Sequence, residues 1–142
     1  MTGLHPQLAA DCILLGRFEL CQLLLMNDSS YPWFILVPDR DNVREIIDLG
    51  PADRQQLLDE SCRLSEFLVR AFHPDKLNVA AIGNLVPQLH LHHVVRFASD
   101  RAWPAPVWGR FPAVAYSRSG LADIRHKLAA AALGGFEPAQ AG

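Results

Sequence analysis

Residues 51–72 constrain this chain more than any other stretch. Leu57, Leu58, Cys62, Leu64, Phe67, Leu68, Ala71 and Phe72 recur at the spacing of one helix face, which predicts an amphipathic helix with an apolar stripe that needs covering. Both ends are marked. Pro51 suits the first helical position, Asp53 and Arg70 complement the two poles of the helix dipole, and Pro74 stops continuation. A helix with one apolar face does not fold alone, so the rest of the chain must supply the opposing surface.

That surface reads as a sheet. Residues 12–15 and 18–26 are rich in aliphatics with polar interruptions and run into Asn27-Asp28-Ser29-Ser30, a turn-forming cluster, as one or two strands would. Trp33-Phe-Ile-Leu-Val37 between Pro32 and Pro38 suits a short strand buried on both faces. Residues 77–82 and 88–95 read as two more strands joined around Gly83, Asn84 and Pro87, and the prolines in residues 103–108 favour an extended loop. A last helix is expected over residues 121–133, ahead of Gly134 and Gly135. Strands on either side of a long helix, with mostly short connections, predict an α+β fold: an antiparallel sheet packed with one long central helix and a C-terminal helix. A parallel sheet would need more crossover helices than the sequence offers. At 142 residues the chain fits one domain, with residues 134–142 read as a flexible tail.

Composition excludes several classes. Half the residues are hydrophobic and the formal net charge is -2, so a general nucleic-acid binder, which needs a concentrated basic face, is not expected. No apolar run is long enough for a membrane span, and the N-terminal residues do not resemble a secretory signal, so a cytoplasmic address is the expectation. Cys12, Cys21 and Cys62 are odd in number and far apart, which predicts buried free thiols rather than disulfides or a metal clip.

The chemistry concentrates in Gln88-Leu-His90-Leu-His92-His93-Val. Strand alternation puts Gln88, His90 and His92 on one face and Leu89, Leu91 and His93 on the other. Several polar groups sharing a face must each find a partner or serve a site, and the residues alone leave both readings open. A metal pair is the weaker functional reading, because zinc wants three or four ligands and His5, His73 and His126 are scattered. A neutral imidazole, by contrast, is a good nucleophile towards phosphorus, provided its other ring nitrogen is held by an acceptor.

Asn84-Leu-Val-Pro-Gln88-Leu-His90-Leu-His92-His93-Val-Val-Arg96 resembles the histidine triad (HIT) motif, and looks closest to a bacterial branch with Gln in place of the first histidine. The resemblance extends to residues 24–28, 31–38 and 102–109. It implies a nucleotide hydrolase or nucleotidyl transferase that needs no metal or other cofactor, acts on a purine nucleotide or dinucleotide, and assembles as a homodimer. His90 falls on the nucleophile that attacks the α-phosphorus and His92 on the histidine that helps hold the phosphate. Gln88 falls on the first histidine, and Asn84 on an asparagine near the phosphate. The ribose-binding acidic residue falls at Asp28 or its neighbour Asn27. Dinucleoside polyphosphates and phosphoramidates are the candidate substrates, with a nucleotide-binding module of little catalysis, or a metal-dependent hydrolase using His90 and His92, as the other readings. Two positions depart from the motif. Gln88 cannot titrate, and Leu85 stands where a Ser or Thr serves the leaving group, which makes the Gln88 amide the substitute donor. Arg96 shares the face of His90 and is either a phosphate contact or a solvated strand-end arginine. Trp103 and Trp108 either stack on a base or pack, and His93 is read as structural or interfacial.

Overall fold

A computed structural model describes residues 3–140. Six strands form one sheet in the order β4-β5-β3-β2-β1-β6, with β1 Cys12–Arg17, β2 Cys21–Met26, β3 Trp33–Pro38, β4 Lys76–Ala80, β5 Leu91–Arg96 and β6 Glu137–Pro138. Every pair is antiparallel. The helices are α1 Pro6–Asp11, α2 Pro51–Phe72 and α3 Arg118–Ala131. The α+β architecture with a long helix and a C-terminal helix is therefore the observed one.

β3 explains why the sheet is covered on both sides. All six of its residues are buried, and their side chains alternate between two cores. Phe34 and Leu36 join Leu57, Leu64, Phe67 and Leu68 of α2 and Ile124 and Leu128 of α3. Trp33, Ile35 and Val37 join Leu8 of α1 and Val107 on the opposite face. Full burial of a large aliphatic or aromatic side chain is worth about 1.5–3 kcal/mol, so the continuous apolar run of β3 anchors both layers.

α2 begins and ends where the prolines dictate, with His73 closing it in the left-handed conformation at φ 51°. Its buried face differs from the hydrophobic stripe. Leu58 and Cys62 are exposed, while Glu60 and Ser61 are buried. Glu60 turns inward because its carboxylate accepts from the backbone N–H groups of Leu20 and Cys21, both at 2.9 Å, and from Gln56 Nε2 at 2.7 Å. A helix carboxylate thus satisfies donors where β2 begins, which an apolar residue could not. Ser61 turns inward to meet His93, with 2.7 Å between its Oγ and the imidazole Nε2.

Three expectations need correcting. Among the cysteines only Cys21 is buried; Cys12 is half-buried and Cys62 exposed. The stretch after Gly134, read as a flexible tail, carries β6, which pairs with Gly16 and Arg17 of β1, and Phe136 packs on Phe18 at 5.2 Å between ring centroids. Gly16 is required there, since a Cβ would lie 2.3 Å from the Glu137 carbonyl oxygen. Residues 88–90, read as the start of a strand, lie outside β5. Among the described residues, no helix is long and apolar enough to cross a membrane.

Candidate active site

The irregular segment of residues 81–90 builds the site. Gly83 turns the chain at φ 68°, Pro87 has no N–H to give a ladder, and the Leu89 N–H bonds to the Val43 carbonyl instead of a neighbouring strand. The alternation nevertheless persists into β5. Leu89 and Val95 face the α2 core and Val94 the opposite core, leaving His90 and His92 together on the α1 side with ring centroids 4.8 Å apart.

The two rings are held differently. His90 Nδ1 lies 2.7 Å from the Gln88 carbonyl oxygen. A carbonyl only accepts, so Nδ1 carries the proton and Nε2 keeps a lone pair. His92 Nδ1 lies 2.9 Å from Trp33 Nε1. An indole only donates, so the proton of neutral His92 sits on Nε2. Burial, reinforced by the nearby imidazoles of His90 and His93, pushes His92 down to about 3. His93 faces the other way, donating from Nδ1 to the Leu91 carbonyl at 3.0 Å and accepting from Ser61, and burial lowers it to about 4. It is a core residue.

His90 and His92 line a cavity of about 400 Å³ together with Asn84, Leu85 and Trp108, and Gln7, Leu8 and Asp11 of α1 also border it. An adjoining hollow of about 340 Å³ shares Asp11, Met26 and Gly109 with it and reaches Asn27 and Phe111. A larger groove of about 600 Å³ between α2 and α3 contains none of the histidines, so size alone does not locate the chemistry. Such a cleft, mostly apolar with a few convergent polar groups, has the character of a small-molecule site.

α1, which precedes the first strand expected from the sequence, supplies one wall. Its signal is Pro6 at the first helical position, with the His5 side chain accepting from the Gln7 N–H as a cap. Gln7 Nε2 in turn donates to Asp11 Oδ2 at 2.8 Å, holding a carboxylate at the junction of the two hollows. Trp33, expected to serve the core alone, also gives its indole N–H to a histidine of the site.

Several expected contacts are absent. The Gln88 side chain turns away from the cavity, donating to the Gly3 carbonyl and accepting from the His5 N–H at 2.8 Å; Gln88 reaches the site only through its own carbonyl, so it is not the substitute donor. Asp28 is buried, its Oδ1 accepting from the N–H groups of Ser30 and Val114, which closes the turn after β2. Asn27 accepts from the Tyr116 N–H and lines the adjoining hollow. Of the two ribose candidates, only Asn27 faces open space.

Arg96 is neither a phosphate contact nor solvated. It is 1% exposed and pairs with both Asp100 oxygens, the Asn78 side chain and the Ala105 carbonyl. Burial by itself raises the Asp100 carboxyl, but Arg96 and the N–H groups of Phe97, Trp103 and Ala102 hold it below the usual carboxylate range. The cluster ties the loop after β5 to the sheet, with the Trp103 ring over the guanidinium at 5.6 Å. Arg96→Met is therefore expected to lower stability by about 3–5 kcal/mol, because it strands a buried carboxylate. Urea denaturation reads that loss, and a variant as stable as the parent would refute the assignment. Trp108 packs edge-on against Trp33 and His92, at 5.7 and 5.3 Å between centroids, rather than standing open for a base.

The model of the HIT domain matches residues 7–99 of the chain. The chain belongs to the histidine triad (HIT) family. Solved HIT structures agree along almost its whole length. A histidine triad protein from Marinobacter aquaeolei VT8 is 52% identical, covering 90% of this chain and 93% of its own with a TM-score of 0.88. One from Bradyrhizobium japonicum is 41% identical over 91% and 96% at 0.89, and one from Sinorhizobium meliloti 1021 is 35% identical over 92% and 96% at 0.89. No curated protein matches. Membership supports a role in nucleotide binding, hydrolysis or transfer. Among the described residues of this HIT protein, no three His, Cys, Asp or Glu side chains are grouped to hold a metal.

Proposed function

We propose that this HIT protein is a nucleotide hydrolase or nucleotidyl transferase in which His90 attacks the α-phosphorus of a purine nucleotide substrate. The observation that carries this reading is the pair of complementary imidazoles: a lone pair on His90 Nε2 beside a fixed N–H on His92, both facing one cavity. A nucleophile for phosphorus needs the first, and charge building on the phosphate oxygens needs the second. The Gln88 carbonyl orients His90, as an acceptor on the distal ring nitrogen should. Asn84 lines the same cavity and Asn27 the adjoining hollow; in this reading the first meets the phosphate and the second the sugar.

The reaction has two steps. His90 Nε2 displaces the leaving group in line, giving a nucleotidyl-histidine, and water or another acceptor then cleaves the P–N bond. Rapid quenching of the protein with diadenosine tetraphosphate, followed by digestion, is expected to show one adenylyl group on the peptide containing His90. Unmodified peptide and no turnover across several adenylylated substrates would sink the proposal. A binding module with little catalysis is the second reading, favoured by the engagement of the Gln88 amide outside the cavity. We further propose that the protein works as a homodimer, which sedimentation at micromolar concentration tests.

A further inference from the structure

His90 and His92 present opposite tautomers to the same cavity, and the residue that makes them differ is Trp33. Its Nε1 is the group that meets His92 Nδ1. Trp33 is itself 7% exposed and held between Tyr31 and Trp108, with ring centroids at 6.5 and 5.7 Å. The donor is thus wedged in place by packing. With Nδ1 occupied by an N–H, His92 has nowhere to put a second proton without losing that bond, and burial disfavours its cation further. It can hold a phosphate oxygen through Nε2–H, but giving that proton up would leave an imidazolate.

The remaining groups around the cavity do not fill the gap. Leu85 is 92% exposed and apolar, at the position where the family motif carries a hydroxyl. Asp11 is an exposed carboxylate that accepts from Gln7, and the amides of Gln7 and Asn84 and the indole of Trp108 are N–H groups that hydrogen-bond without transferring protons near neutrality.

We propose that Trp33 is a positioning residue that fixes His92 as a neutral Nε2–H donor, leaving the cavity, among the described residues, without an acid for the leaving group. Resting on the nucleotidyl-histidine reading above, it narrows the substrates to those whose leaving group departs as a stabilised oxyanion: phosphate, polyphosphate, carboxylate or an acidic phenol. In the first step the His90 Nε2–P bond forms and the bond from phosphorus to the leaving oxygen breaks. The bonding pair leaves with that oxygen. The ring keeps its Nδ1 proton, hydrogen-bonded to the Gln88 carbonyl, and carries the positive charge until water attacks phosphorus, loses a proton to solvent, and the P–N bonding pair returns to Nε2. An alkylamine leaving group cannot follow this route, because it departs only once protonated.

Two measurements test the proposal. Nitrogen NMR of the histidine-labelled protein near neutral pH is expected to show His92 protonated on Nε2 alone. In Trp33→Phe its signals move to an average of both tautomers and kcat falls about 10-fold. In Trp108→Phe, which changes a ring packed 5.3 Å from His92 but removes no hydrogen bond to it, the tautomer stays as it was. Kinetics then compare adenosine 5′-aryl phosphates of graded phenol acidity with an adenosine 5′-phosphoramidate of a primary alkylamine. A general acid contributes about 10²–10⁴-fold, so kcat/KM is expected to fall steeply as the phenol becomes less acidic, and the phosphoramidate to be at least about 100-fold slower than the best ester. A proton on His92 Nδ1, an unchanged single tautomer in Trp33→Phe, or equal turnover of the phosphoramidate each overturns the proposal. Correct tautomers with no turnover of any substrate would instead bring down the nucleotidyl-histidine reading and leave the role of Trp33 towards His92 standing.

Discussion

His90→Ala is expected to lower kcat by about 10⁴-fold or more, the scale on which removing a covalent nucleophile acts. Nucleotide binding should survive, because the cavity walls and the His92 N–H remain. The checks are steady-state turnover of an adenylylated substrate and the shift in melting temperature with added AMP, which reports binding to the folded state independently of chemistry. Turnover retained within about 10-fold of the parent would contradict a covalent route through this ring. The opposite pattern, with unchanged binding and no turnover in the parent either, is what a nucleotide-binding module would give.

Acid should unfold this protein through two histidines. His92 and His93 are buried and neutral, with folded values of about 3 and about 4 against an ordinary 6.5. Depressed folded values mean that the unfolded chain takes up protons first as pH falls. Their contribution is therefore complete above the ordinary value and is lost progressively as pH drops from there towards the folded values. Each buried imidazole removes about 1.4 kcal/mol per pH unit in that window. Between about pH 7 and pH 5 the pair is expected to remove about 4 kcal/mol. Urea denaturation at a series of pH values measures the slope, and His93→Gln should roughly halve it. Asp100 adds a second loss at lower pH, since its carboxyl is held below the carboxylate range and its ion pair disappears on protonation.

Much of the fold was legible because periodicity reports burial. The α2 boundaries follow from Pro51 and Pro74, and the two-sided burial of β3 follows from five apolar residues in a row. The inward turn of Glu60 was not legible. Its partners are backbone N–H groups some forty positions away, and no local pattern announces an acceptor for donors that distant. The same distance hides Gln88, whose amide is taken by residues 3 and 5 at the start of the chain, and Arg96, whose charge is neutralised by a loop that folds back over it.

The sequence by itself determined the antiparallel α+β architecture, the family, and the shared face of His90 and His92, because alternation, capping and a dense motif are properties of neighbouring residues. Only the tertiary structure decided what each imidazole can do. Protonation is set by the partner of the distal ring nitrogen, and those partners, a carbonyl two residues away and an indole from another strand, come together only when the sheet closes around them.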